Sequence, residues 1–434
     1  MSRTFSRREF VRRSIAAGAA VGLPAILPGA ALGAEGAAAP SNKITLGCIG
    51  VGSMGKTNMR SFLGLPDCQI VAVCDPYEGR CQEAKGMVDD NYDDKGCAVY
   101  PDFRDVLARE DIDAVVVAVQ DHWHALIATA AAKAGKDMYC EKPLGVSVEE
   151  SRRIRDVVRD TKRVFQTGTW QRSLEKFQRA CTLARNGYLG RIHTVEVAAP
   201  GPNYRPKYDG PLEAQPVPAG FDWDMWQGPA PKNPYNPGRV AWPDWYLIWD
   251  YCVGFICNWG VHHLDIANWG CPAIGDGSFE VECKADYRDQ GFTDNVNGWD
   301  ATFSYPGGLK MVFKDSKQQK AGCRFMGDEG WVHVDRSGIW ADPESLLTLD
   351  FKDTDLRLTD STNHGDDFLA CVRSRKDPVS DVDAAHTASI LGMLADIAAR
   401  LEQKLAWDAK TERFQNNDEA NTMLQRAMHN GWEL

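Results

Sequence analysis

The fold of this chain is decided by the stretch Lys43-Ile44-Thr45-Leu46-Gly47-Cys48-Ile49-Gly50-Val51-Gly52-Ser53-Met54-Gly55. The apolar run before Gly50 predicts a β-strand, and the three spaced glycines predict a tight turn into a helix. Asp75 closes the next apolar run, twenty positions after Gly55. A strand, a glycine turn, a helix start and an acidic strand end form together the layout that holds a dinucleotide.

The residues of this turn have separate predicted roles. Gly50 permits the sharp turn, Gly52 leaves space for the pyrophosphate, and Gly55 lets the helix approach the strand. Ser53 and Met54 open the helix, whose free N–H groups and positive dipole end attract phosphates.

The acidic residue Asp75 indicates which dinucleotide the motif favours. Its carboxylate is placed to accept hydrogen bonds from the adenosine ribose, where it would repel a 2′-phosphate. NAD is therefore the predicted cofactor, rather than NADP.

Hydrophobic patterning divides the chain into two predicted domains. Over residues 43–166, apolar runs of strand length alternate with helical segments, which predicts an NAD-binding Rossmann domain with a doubly wound parallel sheet. Over residues 167–434, successive strand-like runs joined by tight turns predict an α+β domain with a mostly antiparallel sheet. A late amphipathic helix is predicted through residues 390–401. The predicted fold class is α/β.

Composition and charge argue against several classes of function. The 434 residues suffice for two domains, and 25% charged residues are typical of globular proteins. The formal net charge of −11 argues against a nucleic-acid partner. Beyond the N-terminal segment, no apolar run has the length of a membrane span. The thirteen cysteines include no CxxC pair and no zinc-like cluster, so no metal site is predicted.

The N-terminus is predicted to be an export leader. Arg7 and Arg8 precede the mildly apolar segment 15–23 and then small residues, which is the order of a twin-arginine signal peptide. Residues 1–33 are assigned to this signal peptide and residues 34–42 to a linker. The twin-arginine export machinery carries folded proteins, so we expect a periplasmic protein whose thiols stay free. An uncleaved basic arm is the alternative.

Three further motifs carry a resemblance to a known family. They are Glu141-Lys142-Pro143, the run 166–172, and Asn258-Trp259-Gly260-Val261-His262-His263-Leu264-Asp265. With the glycine turn, they resemble in order and spacing the glucose–fructose oxidoreductase / inositol dehydrogenase / rhizopine-catabolism (Gfo/Idh/MocA) family. The resemblance implies NAD-dependent chemistry on a sugar. It also implies a homo-oligomer in which the second sheet buries a subunit interface.

The resemblance and the chemistry of alcohol oxidation indicate the same residues. Oxidation of a secondary alcohol needs a hydride acceptor and a base for the hydroxyl proton. Lys142 would hold the reacting oxygen, and its peptide bond to Pro143, which is cis in similar proteins, would turn the lysine into the cleft. His262 is the predicted base. Asp265 lies at i+3 on the same helix face, as a ligand of a substrate hydroxyl or as the group that orients His262.

The predicted sites contain the following residues. The cofactor site contains Gly50, Gly52, Ser53, Met54, Gly55, Asp75, Glu141 and Lys142. The catalytic residues are Lys142, His262 and Asp265. The substrate site contains Lys142, Arg172, Trp245, Asn258, His262 and Asp265.

Two features of the region 220–270 qualify this prediction. Many family members have an aspartate four residues before the histidine, whereas this chain has Asn258, whose amide cannot accept a proton at neutral pH. Seven of the fourteen tryptophans lie in this region. Trp242, Trp245 and Trp249 are predicted to form a sugar-binding wall, with core packing as the alternative.

Export and cofactor use together predict the course of the reaction. A dehydrogenase that released NADH in each cycle would stall where free NAD is scarce. We therefore expect a tightly bound cofactor and redox-neutral turnover, in which a sugar or glycoside hydroxyl is oxidised and later reduced again, with or without elimination and hydration. The alternatives are a simple NAD-dependent sugar dehydrogenase and a non-catalytic protein that binds NAD and sugar.

Overall fold

The computed structural model describes residues 42–202, 205–358 and 361–434. The predicted signal peptide, and the predicted linker except Asn42, lie outside the described residues. Residues 44–434 form one folded unit that contains two β-sheets. In the described part of the chain, no helix combines the length and apolarity needed to cross a bilayer.

The first sheet contains six strands. They are β1 (Ile44–Ile49), β2 (Cys68–Cys74), β3 (Ala98–Tyr100), β4 (Ala114–Val117), β5 (Asp137–Cys140) and β6 (Phe165–Thr167). All are parallel, in the order β3-β2-β1-β4-β5-β6. The strand order reverses between β1 and β4, so the carboxyl ends of these strands border the crevice where such sheets bind dinucleotides. The predicted doubly wound parallel sheet is confirmed.

Helices connect these strands and pack on both faces of the sheet. They are α1 (Ser53–Leu63), α2 (Glu78–Tyr92), α3 (Phe103–Leu107), α4 (His124–Lys133) and α5 (Val148–Thr161). Strand β4 shows why both faces need cover. Val115 and Val117 belong to one apolar core, whereas Ala114 and Val116 belong to another. A strand with no polar face is stable only between two layers of helices.

The second sheet contains nine strands. They are β7 (Ile192–Ala199), β8 (Phe279–Tyr287), β9 (Val296–Ser304), β10 (Lys310–Asp315), β11 (Gly322–Gly327), β12 (Gly330–Val334), β13 (Ile339–Asp342), β14 (Leu405–Asp408) and β15 (Arg413–Phe414). Their order is β13-β12-β11-β7-β10-β9-β8-β14-β15. Strands β7 and β10 run parallel, and the other neighbours run antiparallel. The predicted mostly antiparallel sheet is confirmed.

Most of the remaining helices pack against the second sheet or lie in the loops beside it, and the helix His364–Ser374 packs on the first sheet. These helices are α6 (Glu175–Arg185), α7 (Trp223–Gln227), α8 (Pro237–Val240), α9 (Phe255–Asn258), α10 (Gly260–Gly270), α11 (Ala273–Asp276), α12 (His364–Ser374), α13 (Val382–Leu401) and α14 (Asp418–Thr422). Short 3₁₀ turns occur at Asp121–Trp123, Trp170–Ser173, Asp244–Leu247, Pro306–Gly308 and Glu344–Leu347. Along β8, buried and exposed residues alternate, so one face packs against helices and the other faces outward.

Helix α13 is longer and more deeply buried than its sequence pattern indicates. It begins after Asp381, whose side chain accepts hydrogen bonds from the first free N–H groups, and it is buried on nearly every side. His386 on this helix lies 2.9 Å from the Ser151 hydroxyl of α5, between Nδ1 and Oγ. The late helix therefore joins the two sheets, rather than presenting a polar face to solvent.

Candidate active site

The glycine turn has the geometry that the sequence predicts. Gly50 has a φ of +81°, which favours glycine. A Cβ at Gly55 would lie 1.9 Å from the Gly50 carbonyl oxygen, so only glycine fits that crossing of helix and strand. A Cβ at Gly52 would meet its nearest neighbour, Arg80, at 3.6 Å. The turn therefore leaves open space at Gly52, beside the start of α1 at Ser53, for a phosphate-bearing ligand.

Asp75 lies directly beyond β2 and is held by the turn itself. Its carboxylate accepts hydrogen bonds from the backbone N–H groups of Val51 at 3.1 Å and Tyr77 at 3.0 Å. Burial raises the pKa of this carboxyl, and Arg80, 3.9 Å away, opposes that shift. The residue thus lies beside the glycine turn, as the dinucleotide motif requires.

Two adjoining cavities, of about 430 and 830 Å³, open beside the turn. Side chains that line both cavities include Ser53, Met54, Glu141, Lys142, Trp242, Tyr246 and Asn258. The first cavity extends past Gly52 and Arg80, where the dinucleotide motif lies. The second extends to His262, Arg336 and His364. Lys142 thus stands at the junction of the space beside the glycine turn and a second, larger space.

Lys142 begins a chain of hydrogen bonds that crosses the site. The Lys142–Pro143 peptide bond is cis. The Lys142 ammonium donates to both the backbone oxygen and the Oδ1 of Asn258, each at 3.1 Å. The Asn258 amide donates in turn to both carboxylate oxygens of Asp121, each at 3.1 Å. This series of hydrogen bonds therefore ends at a carboxylate. The negative charge of Asp121 lies beyond the Asn258 amide, rather than in direct contact with Lys142.

The sequence analysis missed Asp121, which supplies this charge. Its side chain is 2% exposed and also accepts a hydrogen bond from the Cys252 thiol at 3.0 Å. Burial raises its pKa to about 6, and the Lys142 ammonium opposes the shift. Its position just past β4, at the carboxyl edge of the parallel sheet, is the sequence signal that could have indicated it.

His262 lines the second cavity as a neutral imidazole. Burial, and then the nearby charges of Lys142 and Arg336, hold its pKa well below the usual value. Its Nδ1 has no hydrogen-bond partner among the described residues. The imidazole is therefore neutral at neutral pH and can accept a proton. Its low pKa makes it a weak base, so proton transfer to it needs a hydroxyl that is acidified in the site, as by contact with the Lys142 ammonium.

Arg172 and Asp265 form an ion pair inside the protein, which corrects their predicted role in substrate binding. Asp265 is 0% exposed, and the Arg172 guanidinium donates to it from Nε at 2.8 Å and from Nη2 at 2.6 Å. Neither residue is among those that line the two cavities. Asp265 therefore orients Arg172, rather than a substrate hydroxyl or His262. The i, i+3 spacing placed it correctly on α10 but did not reveal the arginine on its other side.

The three tryptophans of the predicted sugar wall separate in the structure. Trp242 is 55% exposed and lines both cavities, and Trp245 lines the first. Trp249 instead stacks between Arg400 at 3.5 Å and Arg426 at 3.4 Å. Its contacts are those of packing and cation–π attraction, so the wall prediction is wrong for Trp249.

Glu141 is held at the junction of the two cavities. Its carboxylate accepts a hydrogen bond from the Asn58 amide at 2.9 Å. A Cβ at Gly168 would lie 2.7 Å from both carboxylate oxygens, so the glycine makes room for this side chain. Among the described residues, no group of three or more His, Cys, Asp or Glu side chains is placed to hold a metal ion.

These features define a class of protein, an oxidoreductase with an NAD-binding Rossmann domain. The family model "Oxidoreductase family, NAD-binding Rossmann fold" matches residues 44–169. The model "Oxidoreductase family, C-terminal alpha/beta domain" matches residues 176–434. The chain therefore belongs to the Gfo/Idh/MocA oxidoreductase family.

Curated relatives match part of the chain. It is 29% identical over 163 residues to an inositol 2-dehydrogenase of Rhizobium meliloti, which covers 38% of this chain and 47% of that protein. It is 32% identical over 181 residues to a "Glycosyl hydrolase family 109 protein" of Saccharopolyspora erythraea, which covers 37% of this chain and 38% of that protein. The chain thus matches half or less of the length of these relatives.

Solved structures share the fold over most of the chain. The aldose-aldose oxidoreductase of Caulobacter crescentus, complexed with glycerol, has a TM-score of 0.62 at 17% identity and covers 83% of this chain and 99% of its own. The WlbA dehydrogenase of Bordetella pertussis, in complex with NADH and UDP-GlcNAcA, has a TM-score of 0.61 at 17% identity, with 83% and 98% covered. At 17% sequence identity, these similarities show that the fold is shared.

Proposed function

We propose that this protein is an exported NAD-dependent oxidoreductase that acts on a hydroxyl of a sugar or glycoside. One observation carries the proposal: Lys142 stands where the cavity beside the glycine turn meets the cavity that His262 lines. Gly50, Gly52, Gly55 and the N-terminus of α1 would hold the pyrophosphate, and Asp75 the adenosine ribose. Bound NAD would supply a reversible acceptor for the hydride of the alcohol carbon.

The residues of the chain provide the groups that move and hold the proton. The ammonium of Lys142 has three N–H bonds and donates to two oxygens of Asn258, so it can direct another donor at the reacting oxygen. The neutral imidazole of His262 takes the hydroxyl proton as the alcohol becomes a carbonyl. The negative charge of Asp121, relayed by Asn258, holds the lysine in place. Asn258 therefore acts as a bridge and need not accept a proton.

Redox-neutral turnover is part of the proposal. The predicted leader supports it, because an exported enzyme would meet little free NAD to replace released NADH. A carbonyl formed on the sugar acidifies its neighbouring C–H, so elimination and hydration can precede the return of the hydride. Two similar proteins are named an aldose-aldose oxidoreductase and a glycosyl hydrolase family 109 protein. The first name is consistent with hydride transfer between sugars, and the second with cleavage of a glycoside.

One experiment separates this proposal from the alternatives. Purified protein is loaded with NAD and incubated with a panel of sugars and glycosides, while the absorbance of NADH and the sugar products are followed. Product without net NADH supports redox-neutral turnover, and stoichiometric NADH identifies a simple dehydrogenase. Binding of NAD and sugar without product identifies a non-catalytic protein. Fractionation of cells that carry the full chain or an Arg7→Lys, Arg8→Lys variant tests export, which the variant should lose.

Variants test the assigned residues. Lys142→Ala and His262→Ala should each lower turnover by about 10²- to 10⁴-fold, the range expected for loss of a proton-transfer group, while NAD still binds. Lys404→Ala is the control, because Lys404 pairs with Glu280 on the second sheet. Unchanged turnover in Lys142→Ala would remove the lysine from the mechanism.

A further inference from the structure

Arg336 is an arginine in the wall of the second cavity that the proposed reaction does not use. Its guanidinium lies over two indole rings, 4.6 Å from the ring centre of Trp170 and 4.6 Å from that of Trp259. The same cavity is lined by Lys142 and His262. Two indole rings therefore lie against the guanidinium, and each attracts its positive charge.

The hydrogen bonds of this guanidinium are incomplete. Nε donates to Oε1 of Gln171 at 2.9 Å. Nη2 is buried and has no hydrogen-bond partner among the described residues. Burial lowers the pKa of Arg336 to about 10, so the group is still a cation at neutral pH.

A counter-charge for Arg336 is also missing from the described part of the chain. No ion pair within 4.0 Å joins Arg336 to a carboxylate there, in contrast to Arg172, which pairs with Asp265. Glu141 lines the same cavity but accepts a hydrogen bond from Asn58. His262 and His364 line it as well, and both are kept neutral by burial, which lowers the pKa of His364 to about 4.

A partly buried cation without an anion is costly. Stacking on tryptophan recovers part of this cost, but it supplies no hydrogen-bond acceptor for the buried Nη2. Arg324 shows the ordinary arrangement in the same chain. It stacks on Trp331 at 4.6 Å and faces the carboxylate of Glu196 at 3.4 Å. At Arg336 two rings are present instead of one and, among the described residues, no carboxylate faces the guanidinium, so an anionic group in the cavity would complete its hydrogen bonds.

We propose that the substrate is an anionic sugar whose carboxylate or phosphate is bound by Arg336 in the second cavity. The planar fork of arginine matches both groups, and a charge-assisted hydrogen bond to either is stronger than one to a neutral hydroxyl. Lys142 would hold the reacting hydroxyl at one end of the sugar, and Arg336 the anionic group at the other. This inference rests on the proposed function of the cavity as a sugar site.

The test compares sugars that differ only in the anionic group. D-Glucuronate, D-glucose 6-phosphate and D-glucose, with their methyl glycosides, are titrated into the NAD-loaded protein by calorimetry, and turnover is followed separately. We expect an anionic sugar to bind about 10- to 100-fold more tightly than glucose. The preferred anion distinguishes a carboxylate site from a phosphate site. Equal affinity for the neutral and anionic sugars would overturn the proposal.

Substitutions test whether Arg336 is the residue that causes the preference for anionic sugars. Arg336→Gln and the milder Arg336→Lys should reduce the ratio of anionic to neutral affinity, with the larger loss in Arg336→Gln. Arg324→Gln, the matched stacked arginine, should keep the ratio. A preserved ratio in both Arg336 variants overturns the assignment. Circular dichroism identifies a variant that fails to fold, and if Arg336→Gln fails, the Arg336→Lys variant decides.

Turnover of neutral sugars without an anion preference would refute this inference alone. An anion preference in binding without any turnover would refute the proposed function alone.

Discussion

The charge of Asp121 controls the lysine site at the level of single residues. Burial raises its pKa to about 6, so below that pH it takes up a proton and the Asn258 amide loses a charged acceptor. We expect kcat/KM to fall as the pH drops through about 6. Asp121→Asn should lower kcat/KM at pH 8 by about 10- to 100-fold, the value of a hydrogen bond to a charged group, and should abolish this acid limb. The pH profile of each protein measures both effects.

A matched residue separates this effect from a general loss of stability. Asp113 precedes the same strand, β4, at its opposite end and accepts a hydrogen bond from the backbone N–H of Thr45 at 2.8 Å. Asp113→Asn should keep the acid limb near pH 6. An Asp121→Asn variant with the wild-type pH profile would show that the carboxylate does not act on the lysine.

The residues that sequence could identify are those fixed by local geometry. The glycine turn and Lys142 lie in short motifs whose spacing is set by one strand end, and the structure places them side by side. Asp265 was also placed on the correct helix. Its partner Arg172 lies 93 positions earlier and is brought to it only by the tertiary fold. Asp121 and Arg336 depend on such distant partners in the same way. The place of Asp121 just past β4 was a local signal for a site residue, but its contact with Asn258, and the contacts of Arg336, follow only from the tertiary fold.

At the level of elements, the first turn of helix α5 contains a carboxyl group that opposes folding at high pH. Glu150 accepts a hydrogen bond from the Val146 N–H at 2.8 Å, and burial raises its pKa from 4.5 to about 7. The folded protein therefore binds more protons than the unfolded chain between these values. The free energy of unfolding falls as the pH rises through that window, by up to about 3 kcal/mol at 1.36 kcal/mol per pKa unit.

Glu150→Gln should remove this pH dependence because the amide oxygen can still accept from Val146 but does not ionise. Urea unfolding should show a gain in stability at pH 8, up to the same few kcal/mol, and little gain near pH 4.5. Glu149→Gln is the control, because Glu149 is an exposed neighbour in an ion pair with Arg152. An unchanged slope of stability against pH in Glu150→Gln would contradict the expected titration.

Elements with a strong repeating pattern were predictable over their length, whereas the bounds of the shortest strands were not. Strands β4 and β8 have apolar runs or alternation long enough to indicate burial. Strands β3 and β15 contain three and two residues, and they exist because a neighbouring strand offers hydrogen bonds to them. Helix α13 was predicted only where its apolar spacing is regular, although it begins eight residues earlier, at Val382.

The whole molecule is held together by contacts that no segment of sequence reveals. The predicted order of two sheets is observed, but the C-terminal tail returns to the first one. The ring of Trp432 lies 4.9 Å from that of Trp123 and 6.3 Å from that of Phe103. The chain end thus packs beside helices α3 and α4, so the last residues stabilise the region that begins the fold.

The thirteen cysteines give a prediction for the whole molecule. All are buried as thiols, and burial raises the pKa of Cys81 and Cys283 to about 12, so few thiolates are present at neutral pH. A thiol reagent should therefore modify the native protein slowly and all thirteen cysteines after unfolding. Tm should be the same with and without a reductant, because a disulfide would add about 2 to 4 kcal/mol that the reductant removes. A lower Tm in reductant, for protein isolated from the periplasm, would show that disulfides form after export and that the buried thiols are not the final state.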